Sequence, residues 1–142
     1  MGFKIENKAK FKIEMNFMGR YLIDTNVLIS YLRRDKKAIS FLDSLEKVVI
    51  STISAGEIYQ GVRNKKELRL TKDFLSTYCR IISLDEQISG LSLELLEKYI
   101  LSRGLLLLDA LIAATAIKYD LTLITSNSKH FEIIKELKVE KW

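Results

Sequence analysis

The stretch Tyr21-Leu22-Ile23-Asp24-Thr25-Asn26-Val27-Leu28-Ile29 constrains the fold more than any other part of the chain. An apolar run ends on a carboxylate, a polar pair follows, and a second apolar run resumes with helical spacing. Residues 21–24 therefore read as a central strand covered on both faces. Thr25 is placed to cap the helix that follows, with Leu28, Ile29 and Leu32 on its buried side. A strand that hands over to a helix at an acid puts that acid at the strand's carboxyl end, where ligands bind in open α/β sheets. Function then turns on which other acids the chain brings to the same place.

The alternation continues. Residues 38–45 read as a helix with Phe41, Leu42 and Leu45 inward, 48–51 as a strand, and 54 to about 62 as a helix. Residues 65–78 are helical, with Leu68, Phe74 and Leu75 as core, and 81–84 form a strand. Asp85 caps a helix running to about Leu101, and Gly104 stops that segment. Residues 108–119 form an alanine-rich helix that can approach a sheet closely. Residues 121–125 form a strand, a short helix follows over about 130–137, and 139–142 form a last strand. Strands alternating with helices predict an α/β fold: one central parallel sheet of four to five strands, flanked by helices on both faces.

The length, 142 residues, suits one domain that buries roughly 68–70% of its unfolded surface. Residues 1–17 have no evident place in that core. Phe11, Ile13, Met15 and Phe17 alternate like a strand, but among lysines and without a turn partner. They are read as an N-terminal extension, an added edge strand or a flexible arm. Met18 is a possible natural start, and the domain covers 18–142.

Composition removes several function classes. Cys79 is the single cysteine, so no internal disulfide can form and a reducing, cytoplasmic setting is expected. With His130 the single histidine, a zinc site built from Cys and His is set aside. The longest apolar run, 105–117, is broken by Asp109 and falls short of the roughly 20 residues of a membrane span. The first 17 residues lack the apolar core of a secretory signal. The net charge of +5 suits a polyanionic partner such as nucleic acid.

Three acids and an asparagine fall near strand–helix junctions: Asp24, Glu57, Asp109 and Asn127. Each also has a plain structural explanation. Asp24 and Asp109 suit helix caps. Glu57 completes a capping box with Ser54, closing back on the Ser54 amide. Asn127 suits a loop residue bonding its own backbone. Their coincidence is what carries weight. Carboxylates gathered in a cleft repel one another, and a hard divalent cation removes that cost. Oxygen donors without a Cys or His cluster favour Mg²⁺ or Mn²⁺ over zinc. Competing motifs are missing: there is no phosphate-binding P-loop, no dinucleotide fingerprint and no G-x-S-x-G elbow.

Taken together, YLIDTNVLISYL, STISAGEIYQGV, LLLLDALIAATAIKYDLTLITSN and KHFEII resemble a PIN domain of the VapC type, the ribonuclease toxin of a toxin–antitoxin pair. The likeness runs from about Tyr21 to Trp142 in the family's order and spacing. It implies that Asp24, Glu57 and Asp109 hold Mg²⁺ or Mn²⁺. Asn127 takes the fourth site, an aspartate in many PIN nucleases and often an asparagine in toxins of this kind, which implies one metal held firmly and leaves a second metal open. Thr25 and Asn26 would line the site, and Thr125 or Ser126 would orient a ligand or water. The implied reaction is metal-assisted hydrolysis of RNA phosphodiester bonds by an activated water, with Asp24, Glu57, Asp109 and Asn127 as catalytic residues and no protein nucleophile.

Two basic clusters are candidates for RNA phosphates: Arg33, Arg34, Lys36 and Lys37, and Arg63, Lys65, Lys66, Arg69 and Lys72. Either also suits a solvated helix face. The resemblance implies a homodimer silenced by a VapB-like antitoxin, with the apolar stretches 29–32 and 58–62 serving its groove or the core. Two other readings stay open. One is a PIN-fold RNA-binding or assembly module without catalysis; the other is a PIN nuclease of RNA maturation or DNA processing.

Overall fold

Five short strands and seven helices alternate along residues 19–142, the part of the chain that the computed structural model describes. The expectations for residues 1–17 and Met18 lie outside the described residues. In chain order the elements are β1 (Tyr21–Ile23), α1 (Thr25–Leu32), α2 (Lys36–Asp43), β2 (Val48–Ser51), α3 (Thr52–Gln60) and α4 (Lys65–Tyr78). They continue as β3 (Cys79–Ile82), α5 (Glu86–Arg103), α6 (Leu107–Lys118), β4 (Thr122–Thr125), α7 (Ser128–Phe131) and β5 (Lys138–Lys141). Among these residues no helix is long and apolar enough to cross a membrane.

Every strand pair is parallel, as the alternation requires. The hydrogen-bonded ladders run in two pieces, β1-β4-β5 and β2-β3. The pieces lie side by side and share one double-sided core. Successive strand residues point to opposite faces. Leu22, Val49 and Leu123 face α5 and α6, packing with Ile88, Leu95, Ala113 and Ala114. Their neighbours Ile23, Ile50 and Ile124 face the other way, onto Val27, Leu28, Leu42, Ile58 and Leu75. Each such side chain taken from water contributes roughly 1.5–3 kcal/mol. The alanines of α6 let that helix lie close to the strands.

Caps set the helix starts, and several differ from the sequence reading. Asp24 itself, not Thr25, caps α1, its carboxylate accepting the Thr25 amide at 2.8 Å. Ser51 caps α3 by accepting the Ser54 amide, so that helix starts at Thr52 rather than at Ser54. Asp85 caps α5 as expected, and Gly104 ends it with φ 65, the left-handed conformation that glycine adopts without strain. β3 begins two residues earlier than expected, because α4 runs straight into it at Cys79. The short helix after β4 also comes early, at Ser128–Phe131. Ile29, Leu32 and Leu68, expected in the core, are 36%, 42% and 45% exposed. Cys79 is buried, and burial pushes its thiol up to about 11, which leaves it an inert core residue.

Candidate active site at the carboxyl rim

Parallel strands put the ends of β1, β2 and β4 on one rim, and the candidate residues follow those ends. Asp24 leaves β1 with its amide still bonded to the Ile124 carbonyl at 3.0 Å, so its backbone continues the β1–β4 ladder. Its side chain is 6% exposed. One carboxylate oxygen accepts the Thr25 amide; the other accepts the Thr125 hydroxyl at 2.7 Å and the Asn26 side-chain amide at 3.3 Å. Four lone-pair directions on a carboxylate leave room for a further ligand beside these bonds.

Glu57 arrives from α3, in its second turn rather than its first. The capping box is therefore not formed: the cap is Ser51, and Glu57 reaches across to α1. The Thr25 hydroxyl lies 2.8 Å from Glu57 Oε1 and 3.0 Å from Ser54 Oγ. A hydroxyl has one proton and a carboxylate has none to give, so Thr25 donates to Glu57 and accepts from Ser54. Thr25 thus ties the helix after Asp24 to the helix bearing Glu57.

Asp109 stands third in α6, not at its cap; Leu106 takes that position and offers no side-chain bond. Asp109 Oδ2 meets His130 Nε2 at 3.0 Å, which brings the start of α6 to the loop after β4. Burial pushes the Asp109 carboxyl above its ordinary value, His130 opposes that, and the Asp24 charge adds to it. That mutual repulsion marks Asp24 and Asp109 as neighbours on the rim. Among the described residues, no three His, Cys, Asp or Glu side chains are gathered tightly enough to make a ready cage for a metal. Asp109 lies close enough to Asp24 to feel its charge, and Glu57 is tied to the same helix start through Thr25.

The neutral residues complete the arrangement. Asn127 exposes its side chain, while its amide donates to Thr125 Oγ1 at 3.0 Å and its carbonyl accepts the His130 amide. The Ser126 amide donates to Asn26 Oδ1 at 3.2 Å. Thr125 is fully buried and serves Asp24 rather than a ligand. Its carbonyl accepts the Trp142 amide at 2.8 Å, and the Trp142 ring packs on Phe41, with Lys37 over its face.

Of the expected basic residues, Arg33, Arg34, Lys65 and Lys66 are exposed. Arg63 is committed to Glu67, with Nη2 2.8 Å from Oε1, and holds that carboxyl below its ordinary value. Arg33 and Arg63 edge a groove of about 650 Å³ floored by Ile29, Leu32, Ile58, Val62 and Leu70, with Glu57 at its side. Two contributors escaped the sequence reading. Ser51 gave a signal, a serine three residues before another small polar residue. His130 gave only its place, five residues beyond β4, and reads from sequence as a surface or capping residue.

The chain as a whole is similar to known proteins in sequence and fold. The PIN-domain profile matches residues 21–137. Ribonuclease VapC1 of Methanocaldococcus jannaschii is 34% identical, over 94% of this chain and 93% of the relative. Among solved structures, VapBC2 from Rickettsia felis, bound to a DNA fragment from its promoter, superimposes with TM-score 0.75 at 26% identity, covering 86% of this chain and 98% of that one. A toxin–antitoxin complex from Klebsiella pneumoniae gives TM-score 0.70 at 33% identity, covering 82% and 94%.

Proposed function

The chain belongs to the PIN-domain family, and within it we propose that this protein is a metal-dependent endoribonuclease, the toxin of a VapBC-like toxin–antitoxin module. The observation that carries the reading is that Asp24 lies beside Asp109, held by Thr125, while Glu57 is tied through Thr25 to the helix that Asp24 caps. The donor set is all oxygen, with Asp24 buried and repelling Asp109, and it fits a hard divalent cation, Mg²⁺ or Mn²⁺. Asp24, Glu57 and Asp109 would hold it. What the cation supplies when bound is a more acidic water and charge compensation at the phosphoryl group.

The protein's own residues position that chemistry. Thr125 and the Thr25 amide fix the Asp24 carboxylate, so it need not reorient when substrate arrives. The Thr25 hydroxyl and Ser54 hold Glu57 in the same way. Asn127 brings an uncharged amide to the edge where a phosphate must approach. The hydrolysis needs no protein nucleophile.

The apolar groove beside Glu57 suits the amphipathic segment of a VapB-like antitoxin, with Arg33 at its edge for acidic residues. The exposed Leu101, Leu106, Leu107 and Leu108 around the α5–α6 elbow supply a surface for a homodimer. The proposed place of action is the cytoplasm, where RNA and an antitoxin are both at hand.

The test is direct. Purified protein should cut RNA with Mg²⁺ or Mn²⁺ and stop on addition of EDTA, and Asp24→Asn should lose cutting while keeping its fold by circular dichroism. RNA binding without any cleavage would instead favour a module that has lost catalysis.

A further inference from the structure

A second cavity opens on the far side of the acids from the apolar groove. It measures about 450 Å³ and is lined by Ser126, Asn127, Ser128, Lys129, His130 and Lys141. No carboxylate and no apolar side chain lines it. Ladder register places it: Lys141 stands opposite Thr125, the residue whose hydroxyl holds Asp24. Its other wall is continuous with the acid cluster, since His130 also contacts Asp109.

The charges here are available. Lys118, Lys98, Lys138 and Arg63 are each paired with a carboxylate, whereas Lys129 and Lys141 are exposed and have no ion-pair partner among the described residues. The opposite groove is apolar and carries Glu57 and Glu67, which repel a phosphate. The two flanks of the acids therefore differ in chemistry, one suited to a peptide and the other to an anion with hydroxyls.

We propose that this pocket is the subsite for the RNA phosphate adjoining the scissile one, with Lys129 and Lys141 as its cations and the Ser126 and Ser128 hydroxyls and the Asn127 amide as hydrogen-bonding partners. The assignment rests on the ribonuclease reading and adds a direction to it. The strand leaves the acids toward β5 and α7, not across the Arg63, Lys65 and Lys66 face. An incoming single strand then contributes one phosphate to the acids and the next to the two lysines. The antitoxin groove stays free of RNA.

The experiment compares two double variants of the full chain with equal loss of charge. One is Lys129→Ala/Lys141→Ala. The other, on the opposite rim of the strands, is Lys47→Ala/Lys138→Ala. Each is assayed with a short single-stranded RNA over a range of salt. The first should raise KM at least tenfold with kcat little changed. It should also flatten the plot of log affinity against log salt by about 0.7, for the one phosphate that the two lysines no longer neutralise. Lys129→Arg/Lys141→Arg should restore the slope, which separates charge from folding. A Lys129→Ala/Lys141→Ala protein that cuts with the KM and salt slope of the opposite-rim variant overturns the subsite and leaves the nuclease intact. A wild-type protein that neither binds nor cuts RNA overturns both.

Discussion

Thr125 and Asp24 lie 101 residues apart in sequence and share a hydrogen bond of 2.7 Å, the threonine hydroxyl donating to the buried carboxylate. It joins the ends of β4 and β1 at the point where the acids gather. Thr125→Val keeps the side chain's shape and removes the donor. Asp24 Oδ2 is then left with the Asn26 amide at 3.3 Å. A buried acceptor that loses its partner costs about 1–3 kcal/mol. Urea unfolding should show that loss, and RNA cleavage should fall with it. Thr125→Ser should recover most of both, because the hydroxyl returns.

Ser51 and Glu57 divide two roles that the sequence assigned to one residue pair. Ser51→Ala removes the cap that the Ser54 amide uses, and should lower stability by about 1 kcal/mol. Glu57→Gln keeps an oxygen for the Thr25 hydroxyl, so its unfolding curve should stay within about 0.5 kcal/mol of wild type. Its ribonuclease activity should nonetheless be lost. A Glu57→Gln protein destabilised as much as Ser51→Ala would mean that the glutamate acts as a cap after all.

The strand–helix alternation and the place of Asp24 at the end of β1 were legible because each rests on a local rule: period, and the polar residue where a strand gives way to a helix. The α4 bounds and the Asp85 and Gly104 caps came through in the same way. Less legible were features decided by partners distant in sequence. Ile29 and Leu32 have helical spacing toward the core, yet they floor a groove shared with Ile58, Val62 and Leu70, partners that lie 26 or more residues away in sequence. The Ser54-x-x-Glu57 pattern matched a cap, but Ser51, buried at the end of β2, started the helix first. Thr125 looked free to face a ligand until Asp24, 101 positions away, claimed its hydroxyl.

The ion pair between Lys118 and Asp85 gives acid unfolding a local component. Burial pushes the Asp85 carboxyl up, but bonds from Lys118 and from the Ile88 and Gln87 amides win, and it sits below its ordinary value of 3.8. A carboxyl depressed in the folded state stabilises fully above its unfolded pKa, and that gain fades as pH falls through the folded one. Asp85→Asn retains the α5 cap, since asparagine caps as well as aspartate, and loses only the charge. The stability gap between wild type and this variant should be constant from neutral pH to about pH 5. It should then narrow as the pH drops below 3.8. A gap that persists unchanged at the lowest pH would show that packing, not charge, is what Asp85 contributes.

Repulsion between Asp24 and Asp109 makes a prediction about metal that needs no catalytic assay. Asp109 is half-buried beside another acid, with only His130 in opposition, so the protein without cation carries an electrostatic strain that neutralisation relieves. Asp109→Asn should therefore melt at or above the wild-type temperature in EDTA. Wild type should gain stability as Mn²⁺ or Mg²⁺ is added, by about 2.7 kcal/mol at a hundredfold excess over Kd. The variant has one carboxylate fewer to offer and should gain far less over the same titration. The order of the two melting temperatures would then reverse between EDTA and saturating metal. Neither protein responding to the cation would show that these acids gather for some purpose other than holding it, and parallel gains in both would take Asp109 out of the ligand set.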